Sequence, residues 1–244
     1  MINVKSAEFM ITLITFLLVY VVTVTLVGFF VAWVCQKMGD DTAAEQGLLS
    51  LNPAVHIDPV GLLGLMSIFF MGFGWGNHLP INPGNVHSSR HFNRWIKLFI
   101  AYMSDAFANC ILSIIGMAAL IIIFGQRVIM FAAQMMLGGQ LSHMRFAAMF
   151  PEFSSLAVTC GLILTVFVYV NAFLAVFNIV FRGLELIMVY LLERSSDYAK
   201  YYNFFTIFIY AMVASIFLIP QLRLFLVLII LHVGYFIAYL FGGL

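Results

Sequence analysis

Apolar runs long enough to cross a bilayer alternate along this chain with short polar stretches. Met10 to Val34 is an apolar run of about 25 residues, enough for a helix to span roughly 30 Å of hydrocarbon with some tilt. No signal-peptide cleavage pattern follows Val34, so this run is read as a helix of the mature protein. Polar Gln36 to Asp58 leads to a shorter, glycine-rich run, Val60 to Trp75, which reads as a little-tilted or partly re-entrant segment. Ile96 to Phe124 is a third long run. Gly125 to Phe153 mixes Arg127, Gln134, Gln140, His143 and Arg145 with methionines and phenylalanines, a pattern of interfacial amphipathic structure. Leu156 to Val180 is a fourth span, continued by Gly183 to Leu192. Phe204 to Ile219 and Leu222 to Leu240 close the chain and are separated at Pro220-Gln221. The pattern predicts an all-α polytopic membrane protein with about six transmembrane helices. Residues 1–244 are expected to form one membrane-embedded domain, with a core over 27–185 and a C-terminal helical pair over 200–244.

Composition excludes an ordinary soluble domain, since 64% of residues are hydrophobic and only 9% charged. With net charge +1 and no basic tract, neither nucleic acid nor an anionic membrane surface is implied as a partner. The expected partners are other integral membrane proteins or transmembrane helices, within the bilayer. Cys35, Cys110 and Cys160 lack the paired spacing of a metal or redox motif and read as packing residues. Lys5, Arg90, Arg94, Lys97, Arg182, Arg194 and Lys200 outnumber Lys37, Arg127, Arg145 and Arg223 across the expected membrane, which leans toward a cytoplasmic N-terminus.

The stretch from Leu48 to Asn85 breaks the apolar pattern. Asn52-Pro53, Asp58-Pro59, Leu79-Pro80 and Asn82-Pro83 mark non-helical backbone, because proline lacks an amide donor and biases its predecessor away from helix. Within a bilayer such backbone has to be buried in protein or line a wet cavity. Asn52 and Asn82 are turn-favouring residues, and Gly72, Gly74, Gly76 and Gly84 permit unusual backbone angles.

The pattern Leu-Asn-Pro-x-x-His-Ile-Asp-Pro-x-Gly over Leu51 to Gly61, then Gly-Phe-Gly-Trp at Gly72 to Trp75 and Pro-x-Asn-Pro at Pro80 to Pro83, resembles the small bacterial site-2 proteases, which are intramembrane zinc metalloproteases. Gly39-Asp40-Asp41-Thr42-Ala43 is similar to that family's Gly-Asp-Pro-Thr-Ala, with Asp41 in place of proline. The resemblance implies a first core helix carrying H-E-x-x-H, with two histidines on zinc and a glutamate activating its water. Counting back from Gly39 places Val27, Gly28 and Val31 at those positions, so the motif is degenerate. The family's third ligand is an aspartate after an Asn-x(6)-Asn helix. Asn171 to Asn178 match that helix, and Glu185 falls near the aspartate, with Arg182 as its expected partner at a helix end. Asp105 to Asn109 resemble a further family element of which only Asn109 survives. The resemblance also implies a first helix entering from outside, against the charge bias.

Val27, Phe29, Phe30 and Val31 are expected to fill the former metal cavity by packing against the Asn171 to Glu185 helix. His56 is expected to cap backbone groups of the hairpin. His78, His87 and His91 read as solvated interfacial histidines, the last two with helical spacing, and His232 reads as a bundle contact. Asn52, His56, Asp58, Asn82, Asn85, Asn109, Asn171 and Asn178 are the candidate groove residues. No metal or cofactor is expected, and the chain is expected to be no enzyme. The leading expectation is a pseudoprotease in the bacterial cytoplasmic membrane, binding or scaffolding other membrane proteins. One alternative is a channel or transporter subunit with Asp105, Asn109, Asn171, Asn178 and His232 along a polar path. Another is an active protease with an unorthodox metal site built from Glu185 and the loop histidines.

Overall fold

Long apolar sequences without internal proline close their own backbone hydrogen bonds, which is what a helix in a bilayer requires. In the computed structural model, which describes residues 4–59, 62, 79–136, 143–194, 224–225 and 227–241, the first such sequence is α1, Val4–Met38. A short α2, Thr42–Glu45, and two 3-10 turns, Pro53–Val55 and Pro83–Asn85, precede α3, Arg94–Phe124. Then come α4, Arg127–Met136, α5, His143–Met149, and the 40-residue α6, Ser155–Arg194. A shorter apolar helix, α7, covers Val227–Leu240. Among the described residues, Phe9–Met38, Arg94–Phe124 and Ser155–Arg194 are long and apolar enough to cross a membrane. The protein is an all-α membrane protein. The expected runs Val60 to Trp75 and Phe204 to Ile219 lie outside the described residues, apart from Leu62.

Two differences from the sequence reading concern helix ends. The first helix continues past Val34 to Met38, where Gly39 stops it with φ +102°. There Asp40 N donates to Cys35 O at 2.9 Å and Gly39 N to Gln36 O at 3.0 Å, the paired bonds of a Schellman cap. Arg182 and Glu185, expected at a helix end, stand inside unbroken α6.

The chain forms two compact units. One comprises Met1–Thr23, Cys110–Phe173 and Pro220–Leu244, and the other Val24–Asn109 and Leu174–Ile219. The first unit is built on aromatic packing, with Phe124 within 5.1 Å, centroid to centroid, of both Phe146 and Phe150. Gly161 makes this possible, because a Cβ there would lie 2.5 Å from the Phe146 ring and 2.6 Å from the Phe124 ring. Asn171 donates to Thr23 Oγ1 at 3.1 Å in the same unit, a bond between α6 and α1. Among the described residues, His232, read from the sequence as a bundle contact, has a polar contact only within its own helix. It is exposed, and its Nδ1 lies 2.7 Å from Leu228 O one turn earlier on its own helix.

Candidate functional site

The second unit holds the segment that interrupts the membrane pattern. Each described Asn-Pro pair begins the same device. Asn52 Oδ1 accepts from Ala54 N at 3.1 Å, and Asn82 Oδ1 accepts from Gly84 N at 3.0 Å, so each asparagine caps the 3-10 turn that its proline starts. Asn52, Asn82 and Asn85 are exposed and Asp58 is half-buried.

Three charged side chains fix the main chain between Leu79 and Val86. Fully buried Asp40 accepts from Asn82 N at 2.7 Å, Asn85 Nδ2 at 3.1 Å, Thr42 Oγ1 at 2.6 Å and Thr42 N at 3.2 Å. Arg94 donates to Pro83 O and Val86 O, each at 2.8 Å, and grips Glu193 through two bonds of 2.5 Å. Arg182 donates to Leu79 O at 3.1 Å, to Asp105 Oδ2 from Nε at 2.7 Å, and to Glu185 Oε2 at 2.8 Å. Backbone without a helical ladder leaves donors and acceptors that low-dielectric surroundings would penalise, and these side chains satisfy them. In the sequence Asp40 stands within a motif that assigns it no role, and Arg94 contributes only to the charge bias. Their loop partners lie about forty and ten residues away, beyond any local spacing signal.

At the positions that the resemblance would assign to the zinc motif, Val27 and Val31 are buried. The space beside Gly28 is filled differently from the expectation. Phe30 turns toward Trp33 and Phe107, with centroids 6.0 and 6.3 Å away. The imidazole of His56 stands against Gly28 instead, so close that a Cβ on the glycine would lie 2.4 Å from Nδ1. His56 also lies 2.7 Å through Nε2 from Ser50 O, which is the hairpin contact expected of it. His87 and His91 are exposed in non-helical backbone, so their sequence spacing does not become one helical face, and His78 lies outside the described residues. Asn109 donates to Asp105 O at 2.7 Å, and Asn178 is buried on α6.

Compared with known proteins, the chain is 38% identical over 104 residues, 42% of its length, to a Bacillus subtilis protein described as "Putative zinc metalloprotease YwhC". The chain spans 43% of that relative's length over the match. No protein-family profile and no solved structure matches the chain. The match supports the relation drawn from the motifs, and the chain is an integral membrane protein similar over 104 residues to one described as a zinc metalloprotease. It overturns the expectation that the chain is no enzyme, because the matched relative is described as a protease. Absent side chains at three motif positions were too narrow a basis for that expectation.

Zinc, which the relative's description implies, does not fit the side chains at Val27, Gly28 and Val31. The two valines carry no donor atoms, Gly28 is covered by His56, and Glu185 is held by Arg182. Among the described residues, no three His, Cys, Asp or Glu side chains come together as a metal set. No step through zinc follows from these residues.

Proposed function

We propose that this protease-like protein holds a segment of another integral membrane protein against the braced Leu79 to Val86 loop and the Asn52 to Val55 turn. The proposal places it in the bacterial cytoplasmic membrane as a binding or scaffold subunit, with the zinc motif degenerate at Val27, Gly28 and Val31. One observation carries the reading. Asp40, Arg94 and Arg182 all direct their side chains at the main chain of one loop, leaving Asn82 and Asn85 exposed on a fixed backbone. A preorganised edge of this kind binds without the entropic cost of ordering a loop.

Photo-crosslinking in intact membranes tests it. A photoreactive residue replacing Val55 or Asn85 should capture one integral membrane protein, and mass spectrometry of the adduct should locate the joined segment within or beside a transmembrane helix. The mass of the captured chain also shows whether it has been cut. Adducts no stronger than those from a probe replacing exposed Ile115 on α3 would overturn the proposal.

A further inference from the structure

Among the described residues, three buried polar atoms of the second unit have no hydrogen-bond partner, namely His56 Nδ1, Asn109 Oδ1 and Asn178 Oδ1. All three are acceptors. His56 Nε2 faces the Ser50 carbonyl, which only accepts, so the ring proton is on Nε2 and Nδ1 carries a lone pair. The Asn109 amide nitrogen donates to Asp105 O, which turns its oxygen the other way. Asn109 and Asn178 are 1% and 4% exposed, so solvent does not satisfy them.

Helix register brings the three to one level. Arg94 on α3 pairs with Glu193 on α6, and eleven residues onward on α3 and eleven back on α6, Asp105 pairs with Arg182. The two helices therefore run antiparallel in constant step. One turn further on the same faces stand Asn109 and Asn178. The end of α1 reaches the same loop, through Asp40, that the start of α3 reaches through Arg94, so α1 is antiparallel to α3 as well. Phe30 lies opposite Phe107. Two residues back on α1 is Gly28, where the His56 ring sits, and two residues on along α3 is Asn109.

An unpartnered buried acceptor costs free energy that a donor recovers. Here three acceptors share a level, and one turn away Arg182 is flanked by Asp105 and Glu185, leaving one negative charge in excess. A primary ammonium group offers three N–H donors and a positive charge. A guanidinium offers five donors in a rigid plane and would leave some unmatched. We propose that His56 Nδ1, Asn109 Oδ1 and Asn178 Oδ1 form a binding site for a primary ammonium. If the protein holds membrane segments, the natural source is a lysine of the held segment, whose charge needs such partners within a bilayer. That assignment of source rests on the proposed function, whereas the site itself does not.

The test uses the full chain in detergent, with methylammonium as probe and tetramethylammonium, which has no N–H donor, and sodium as controls at equal concentration. Methylammonium should raise the melting temperature above both controls. Asn109→Leu and Asn178→Leu should each weaken half-saturation at least tenfold, and Asn178→Asp should tighten it. Equal stabilisation by all three cations, or unchanged half-saturation in both leucine variants, would overturn the site. A second arm compares a transmembrane peptide carrying one lysine with its norleucine counterpart. Tighter binding of the lysine peptide by tenfold, lost in Asn178→Leu, establishes the lysine source. Equal binding of both peptides with the methylammonium effect intact overturns that source in favour of a free amine. If neither peptide binds while the methylammonium effect persists, the held-segment proposal fails and the site stands.

Discussion

The His56 imidazole occupies the place of a side chain on Gly28, whose constructed Cβ would lie 2.4 Å from Nδ1 and 2.8 Å from Cε1. Glycine at this position is therefore a packing requirement set by a residue 28 positions later. Gly28→Ala should destabilise the protein by about 1–3 kcal/mol, because the ring has to leave its seat or α1 has to shift. His56→Ala in the same chain should recover most of that loss. Thermal unfolding of the two single variants and the double variant checks the coupling, and simple additivity would show that the ring and the glycine are independent.

Arg182 and Asp105 are both buried, at 3% and 5% exposure, and meet at 2.6 Å. Removing one partner leaves the other charge uncompensated in a low-dielectric interior, so Arg182→Leu should cost about 3–5 kcal/mol. Replacing both, as Asp105→Leu with Arg182→Met, should be milder than either single change. Chemical unfolding in detergent gives the comparison, and a double variant weaker than both singles would contradict it.

Glu152, in the link between α5 and α6, accepts from its own backbone amide and from Arg127, and these bonds hold its carboxyl below the ordinary value of 4.5. A folded-state value below the unfolded one means that the stabilisation is present above the unfolded value and disappears as pH falls through the folded one. The parent should therefore melt slightly above Glu152→Gln at about pH 6, and the two should converge on acidification to about pH 3. The difference should be small, because the pair is exposed and solvent screens it. A gap that widens toward low pH would reverse the assignment.

Much of this architecture is legible in the sequence, and the reason is local. Uninterrupted apolar runs dictate the long helices, and Asn52-Pro53 and Asn82-Pro83 dictate capped turns, since both effects act within a few residues. The Glu185 pairing with Arg182 is likewise readable from helical spacing. What escapes is tertiary. Nothing near His56 in the sequence points to Gly28, and Asp40 reads as one more polar residue after a helix until Asn82 and Asn85 arrive beside it. The span of α6 past Val180 also shows that one buried arginine with two carboxylate partners does not end a membrane helix.

Asp40 offers the sharpest test of how the loop is held. Its carboxylate is fully buried, and one oxygen takes the Asn82 amide while the other takes Thr42 and Asn85. Every one of those partners is a donor, so the position needs acceptors on both branches. In Asp40→Asn one branch becomes an NH2 group that faces a donor. The loss is then larger than one hydrogen bond, about 2–3 kcal/mol, because a buried donor is left facing another donor. The change should be felt first at the loop, since Arg94 and Arg182 still hold Pro83, Val86 and Leu79. Amide exchange at Asn82 and Gly84 should accelerate well before α3 or α6 loses protection. Uniform acceleration across the helices would instead make Asp40 a determinant of the whole unit, and unchanged exchange at Asn82 would show that the two arginines suffice to fix the loop.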